Sequence, residues 1–245
     1  MYYESEGIVL KKVKINDTDV FLTLFSKRLG KIQVFAKGAN NPKNSLNKGC
    51  HPFVYGDFSL RGDKTYSLAN VEIKDNFYNF REDLKKLSYA SYFVDVVNHN
   101  LNEDENNYKL FKLIIESLTI LSKTKGYEEK LKLYFELMTL KHLGYEPLVT
   151  ECVLCGKKEV FKKFSVADGG VVCLKCADTN NGSIDLHPKL IQLMRYILRS
   201  DIYEYMKKEI NSLFIDKMDI FINSYTDYYL ATGKIKSKKF LKIYE

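Results

Sequence analysis

The sequence has no tryptophan, and only five of its 38 basic residues are arginine. Lysine is a point charge suited to phosphate, whereas reading base edges leans on the planar arginine fork. The scarcity of arginine therefore argues against sequence-specific readout and for sequence-independent binding of polyanions. No run of about 18 apolar residues occurs, which excludes a helical membrane span by length. No apolar leader opens the chain, so a cytoplasmic location is expected. The phosphate loop G-x-x-x-x-G-K-[ST], the dinucleotide turn G-x-G-x-x-G, the helix H-E-x-x-H and the elbow G-x-S-x-G are all missing. His51, His99, His142 and His187 are scattered without a partner motif, and Glu103, Asp104 and Glu105 fall in a polar break. No catalytic constellation is visible, and an enzyme is not expected.

What is present is a cysteine cluster. The stretch Glu151–Ala177 reads ECVLCGKKEVFKKFSVADGGVVCLKCA, with Cys152 and Cys155, then 17 residues, then Cys173 and Cys176. Two C-x-x-C pairs at this separation are the pattern of a four-thiolate zinc site. Each pair turns both sulfurs toward one point, and two pairs complete a tetrahedron at about 2.3 Å per sulfur. With every position taken by thiolate, no place is left for water or substrate, so the Zn²⁺ would be structural. Two disulfides, or one redox pair, are the competing readings; a reducing cytosol favours metal. Cys50 lies far from the cluster in sequence and is expected to be an ordinary buried thiol.

With 245 residues, 45% hydrophobic and 13% aromatic, the chain can bury one large or two modest cores. Its formal charge of +7 makes nucleic acid a plausible partner, although lysine abundance of this kind also follows from composition bias. Residues 1 to about 78 carry strand signals. An alternating run through Ile8 and Leu10 comes first, then Val20–Phe25, a turn at Lys27–Gly30, and Lys31–Ala36. After a polar loop from Lys37 to Gly49, Phe53–Leu60, a Gly62-Asp63 turn and Tyr66–Ile73 complete five short strands. Five strands in this length suggest a small closed barrel of the oligonucleotide-binding (OB) type, because closure removes exposed edges.

This segment holds twelve basic residues, Lys64 among them, against eight acidic ones. Lys37, Lys43 and Lys48 share one loop with no acid between them, beside Phe35 and Phe53. A basic groove with aromatic faces holds single strands by stacking. The competing reading is that these phenylalanines are core and the lysines a solvated face.

From Phe80 the period becomes helical. Leu84 to Leu101, Leu110 to Leu121 and Leu131 to Leu143 mark three stripes, the last ended by Gly144 and Pro147. After the cysteines, Leu190–Leu198 and Ile210–Tyr229 mark two more. The fold class expected is α+β, strands first and helices after. The expected division is 1–79 as the barrel and 80–245 as a helical domain, with 151–178 inserted in it as the zinc-binding segment. Lys234, Lys236, Lys238, Lys239 and Lys242 close the chain as either a phosphate-seeking tail or a soluble terminus.

The order of parts resembles the RecO family of bacterial DNA repair proteins. The residues that carry the resemblance are the opening EGIVLKK from Glu6, Phe35-Ala-Lys-Gly38 followed by a polar loop, Pro52-Phe53, Tyr66-Ser-Leu followed by Glu72, Leu143-Gly-Tyr-Glu-Pro-Leu148, and CVLCG…FSVADGGVVCLKC. The run from Leu143 to Cys176 is the most specific. The resemblance implies an OB barrel and a helical domain with a zinc knuckle, without catalytic activity. It implies binding of single- and double-stranded DNA, strand annealing, and help in loading RecA onto strands covered by single-strand-binding protein. Implied partners are RecR and the acidic C-terminal tail of single-strand-binding protein, in the bacterial cytoplasm at the nucleoid. By position, Cys152, Cys155, Cys173 and Cys176 become the zinc ligands. Family members commonly carry arginines in the loop that here reads ANNPKNSLNKG. Lys11, Lys12, Arg28 and Lys31 are therefore expected to share DNA binding with Lys37, Lys43 and Lys48. An apolar groove with basic rims would take the acidic tail, with Lys130 and Lys132 as candidates. The rival reading is a zinc-stabilised protein-interaction scaffold without DNA binding; a zinc- or thiol-dependent enzyme is a third.

Overall fold

The structure is a computed structural model, and it describes residues 1–62, 65–158, 160–178, 182–241 and 243. The expected Gly62-Asp63 turn, Lys64 and Lys242 thus lie wholly or partly outside the described residues. The chain folds into two compact units, Met1–Lys123 with the described residues from Ser237 onward, and Thr124–Lys236. The strand signal ends at Asp75, so this division does not follow the change of period. Hydrophobic period reports what kind of element a segment forms, not which core it joins.

In the first unit β1 (Tyr2–Lys14), β2 (Val20–Ser26), β3 (Gly30–Ala36), β4 (Tyr55–Arg61) and β5 (Tyr66–Asp75) close into a barrel in the order β1-β2-β3-β5-β4. All neighbours are antiparallel except β3 and β5, which run parallel through Val34–Tyr66 and Phe35–Ser67. This is the topology expected of an OB barrel. Inside it lie Val9, Val20, Leu22, Leu24, Ile32 and Val34, with Cys50 closing one end. A shift of register between Val9 and Lys11 bends β1, which lets one long strand pair with both β2 and β4. β4 begins at Tyr55 and not at Phe53, because Phe53 sits at φ 72°, outside the strand region.

Helices α1 (Leu84–Asn100) and α2 (Tyr108–Lys123) belong to the same unit. Asp83 caps α1 by accepting the Lys86 amide. The segment joining the two helices bonds to β3. The Lys31 amide donates to the Glu105 carbonyl, and the Asp104 amide to the Lys31 carbonyl. Gly30 is required at this junction, at φ 74° and with its missing Cβ 2.4 Å from the Glu105 carbonyl oxygen.

The second unit holds α3 (Glu128–His142), β6 (Phe161–Ser165), β7 (Gly170–Cys173), α4 (Leu174–Ala177), β8 (Ser183–Asp185), α5 (Pro188–Arg199), α6 (Ile202–Lys207) and α7 (Ser212–Leu230). β6 is central in an antiparallel sheet of order β7-β6-β8. Its strands and α6 are too short to leave a readable period, and the sequence analysis did not anticipate them. Phe164 of β6 packs edge-on against Phe221 and Tyr225 of α7, at 4.7 and 5.5 Å. Of the terminal lysines, Lys236, Lys238 and Lys239 fall in α8 (Lys236–Leu241), with Lys238 buried, so this stretch is not an extended tail. Among the described residues, no helix is long and apolar enough to cross a membrane.

Candidate metal centre and nucleic-acid interface

The two cysteine pairs come from different local structures that converge. Cys152 and Cys155 lie on a turn closed by the Gly156 amide donating to the Cys152 carbonyl at 2.8 Å. Cys173 ends β7 and caps α4, which carries Cys176 one turn later. Gly169 and Gly170 bring Leu148 onto β7. Gly169 is at φ 77°, and a Cβ on Gly170 would stand 2.8 Å from the Leu148 carbonyl oxygen.

All four sulfurs lie within 4.8 Å of one another, and those of Cys155 and Cys173 are 3.8 Å apart. A tetrahedron with about 2.3 Å metal–sulfur bonds has sulfur–sulfur edges of about 3.8 Å, so the donor set fits Zn²⁺ in size and in chemistry. Burial pushes the Cys152 thiol up, but the amides of Cys173, Leu154 and Cys155 outweigh it and bring it down to about 6. Hydrogen bonding with the Cys155 and Cys173 sulfurs, together with burial, pushes Cys176 up to about 12. Four thiols this close cannot all ionise unaided, and a divalent cation removes that conflict. Cys50 is buried in the barrel core, and burial pushes it up to about 11.

The basic residues of the barrel separate to its two ends. β3 spans seven residues, roughly 20 Å at the usual rise, with Arg28 before its start and Lys37 after its end. At the Lys37 end, the β1–β2 and β3–β4 connections interlock. Asp19 accepts the Gly38 amide at 2.7 Å, and the Asn40 amide donates to the Thr18 carbonyl at 2.8 Å. Lys11, Lys37, Lys43 and Lys48 are exposed there or on the adjoining strand. At the other end Arg28 donates to the Glu4 carbonyl, in a groove of about 460 Å³ also lined by Glu4, Glu6, Asp57 and Glu72. Lys27 lines it too, and Lys27 and Lys74 pair with Glu6 and Lys74 with Asp57.

Lys31 does not face solvent. It is 9% exposed, and its ammonium donates to the carbonyls of Asn98, at 2.8 Å, and Leu101, capping the end of α1. Burial lowers its proton affinity, against the pull of Glu103 and Glu105. Lys132 does not face solvent either, whereas Lys130 lines a groove with Tyr127, Lys207 and Lys208. Lys130 donates to the Met206 and Lys208 carbonyls, and Lys132 pairs with Asp219 at 2.9 Å while only 2% exposed. A lysine on a strand or helix looks alike in sequence whether it meets water or an unsatisfied helix end.

The structure adds residues that the sequence analysis missed. Register aligns Val13, Phe21 and Phe35 in one row across β1, β2 and β3, and Lys11, Thr23 and Gln33 in the next. These side chains point out of the barrel, since Leu22, Leu24 and Val34 point in. Further along the same face Phe25 is buried against Phe111 of α2 at 5.4 Å. The helices therefore cover one half of this face and leave the other open. Phe21 stays 38% exposed, edge-on to half-buried Phe35 at 5.7 Å. Phe53 is turned elsewhere, against Phe80 at 5.8 Å. The signal available was that Val20–Phe25 is apolar on both faces, so its outer face also needs a cover or a ligand.

Comparison with known proteins gives a consistent result. Residues 1–77 match the family model described as "Recombination protein O N terminal", and residues 81–239 match "Recombination protein O C terminal". The chain is 33% identical over 244 residues to a "DNA repair protein RecO" of Alkaliphilus metalliredigens, covering 99% of each chain. It is 32% identical to the protein of the same description from Acetivibrio thermocellus, over 89% of this chain and 87% of the relative. A Bacillus pumilus relative is 31% identical over 98% of this chain and 94% of its own length.

Proposed function

The chain belongs to the RecO family of DNA repair proteins, and from that premise we propose that it is a non-catalytic DNA-binding recombination mediator. It binds single- and double-stranded DNA, anneals complementary strands and helps load RecA on strands coated by single-strand-binding protein. The observation that carries this reading is the uncovered half of the outer barrel face, where Phe21 and Phe35 stand between Lys11 and the Lys37 end. Exposed rings stack bases of any sequence, and lysines around them neutralise phosphates and release counterions. Annealing then needs no reacting side chain, because the barrier to pairing is repulsion between two phosphate backbones. The division follows as 1–79 for the DNA-binding barrel and 80–245 for the helical domain carrying 151–178.

Cys152, Cys155, Cys173 and Cys176 would hold one Zn²⁺, which supplies a fixed cross-link and no chemistry. Partners on this reading are RecR and the acidic tail of single-strand-binding protein, in the bacterial cytoplasm at the nucleoid. For the acidic tail, the second unit offers a groove of about 430 Å³ lined by Lys189, Leu193, Tyr196, Lys208 and Phe214, with Glu209 also on it. Lys208 lies 4.4 Å from the centre of the Tyr196 ring, and Lys189 5.9 Å from that of Phe214. Ammonium groups beside apolar rings suit an acidic peptide.

Fluorescence anisotropy of the full chain with a labelled mixed-sequence single strand, across a salt series, tests the proposal. Tight low-salt binding with a steep log–log slope is expected. Absence of binding at low salt overturns it and leaves the zinc-stabilised scaffold.

A further inference from the structure

The four cysteines converge on one point but do not share one environment. Cys152 and Cys173 are 1% and 0% exposed, whereas Cys155 is exposed and Cys176 half-buried. Cys173 is held on β7 by its pairing with Phe161 of β6, and its amide donates to the Cys152 sulfur at 3.4 Å. These two cysteines are therefore tied into the sheet. Cys155 is carried on the turn and meets solvent.

Room to move lies on the Cys155 side as well. A Cβ on Gly156, next to it, would meet nothing within 4 Å, whereas one on Gly170 of β7 would press on Leu148 and Val153. The Cys155 sulfur stands 3.8 Å from that of Cys173. A disulfide needs about 2.05 Å, so a shift of roughly 2 Å by the exposed turn closes the gap while β7 stays in place. Lys157 and Lys158 follow on the same stretch, and both are exposed. An accessible sulfur beside cations is the kind that a small oxidant reaches first.

We propose that Cys155 is an oxidation site, at which a peroxide converts the Cys155–Cys173 pair into a disulfide that replaces the metal as the tie between the two cysteine pairs. The inference rests on the four-thiolate reading above and adds to that site a response to oxidant. A bond between the pairs, unlike one inside either of them, keeps the Cys155 turn on the end of β7.

The chemistry takes two steps, from cysteines that are already deprotonated as metal ligands. The Cys155 thiolate attacks one oxygen of hydrogen peroxide; the S–O bond forms, the O–O bond breaks and hydroxide leaves, so the sulfur gives up two electrons as sulfenic acid. The Cys173 thiolate then attacks the Cys155 sulfur; the S–S bond forms, the S–O bond breaks and a second hydroxide leaves. Two thiolates and one peroxide thus become one disulfide and two hydroxides. Two of the four donors are consumed, so the ion is released, and a dithiol reductant restores the site.

The test treats the full chain, reduced and supplied with Zn²⁺, with equimolar hydrogen peroxide. Trypsin tells the products apart, because it cuts at Lys157, Lys158, Lys162 and Lys163 between the pairs and at Lys175 between Cys173 and Cys176. Mass spectrometry should find the peptide ending at Lys157 linked through Cys155 to the peptide ending at Lys175. A chromogenic chelator should record release of about one ion per chain, and two of the five thiols should be lost and then recovered with dithiothreitol. Dimedone, which caps sulfenic acids, should mark Cys155, while Cys50, 0% exposed in the barrel core, stays reduced. Amide exchange in β6 and β7 should rise less after oxidation than after a chelator strips the reduced chain. A link through Cys152, a disulfide inside either pair, a dimedone mark on Cys173, or zinc and all five thiols retained under peroxide overturns the inference and leaves the metal site standing. An equal rise in exchange overturns the disulfide's role as a tie. A reduced chain that takes up no zinc overturns the four-thiolate reading, and this inference with it.

Discussion

The barrel and the cysteine segment are both small β structures, antiparallel apart from the β3–β5 pair of the barrel, yet they are held together in different ways. The barrel's five strands run to 13 residues and enclose a continuous apolar core that includes Leu22, Leu24, Val34, Phe58 and Leu60. The cysteine sheet has three strands of five, four and three residues, with Phe161, Phe164, Val171 and Val172 among its buried apolar side chains. Closure gives the barrel no edge and enough buried area to stand on packing. A sheet of the second size lies below the range where packing alone suffices, and metal commonly makes up the difference. Thiolates appear where the core is too small.

The largest effect expected from this contrast is on the cysteines. Cys152→Ser with Cys173→Ser should abolish tight zinc binding, normally about one ion per four-thiolate site, and strip β6 and β7 of hydrogen-exchange protection. Protection in the barrel strands should survive; its loss as well would show that the two sheets do not differ in what supports them. Lys31→Ala comes next, because it leaves carbonyls at the end of α1 without their buried donor. A loss of about 1–3 kcal/mol is expected in denaturant unfolding, against less than about 0.5 kcal/mol for Lys43→Ala on the surface.

The barrel's open face is the place to separate binding from stability. Phe21→Ala should weaken single-strand affinity by about 1–3 kcal/mol while changing the melting temperature little, since the ring is partly exposed. An unchanged affinity would show that the row is only packing. Replacing Lys37, Lys43 and Lys48 together with alanine should flatten the salt slope by up to about 2, near 0.7 for each single-strand phosphate that is no longer neutralised.

The smallest effect concerns pH. The Tyr55 hydroxyl, more than the opposing burial, and then Lys27 and Lys74, hold the Glu6 carboxyl below its usual range. A depressed carboxylate adds stability above its unfolded-state value near 4.5, which is lost as pH falls through the folded value. Acid unfolding of Glu6→Gln should therefore be slightly less steep below about pH 4.5 than that of wild type, and the cysteine pairs should not alter this difference.

Much of this molecule was legible without coordinates. Spacing alone located the four sulfurs, because a C-x-x-C turn aims both side chains at one point whatever surrounds it. Alternation and then helical period gave the order of strands and helices, since each element is written locally in its own repeat. The strands of the cysteine segment and α6 escaped because three to six residues carry no period. At the start of α5 the His187 imidazole accepts the Lys189 amide, a cap that the Leu190–Leu198 stripe does not reveal.

The sequence by itself determined which residues could bind metal and that a basic barrel precedes helices. The tertiary structure decided which basic residues meet solvent. Lys31 and Lys132 were taken inward by a helix end and by Asp219, and Arg28 was set among carboxylates. Phe21 was left open because α2 reaches only as far as Phe25 along the same face. Metal spacing is a short-range property of the chain, whereas the exposure of a charge depends on partners some seventy or more residues away.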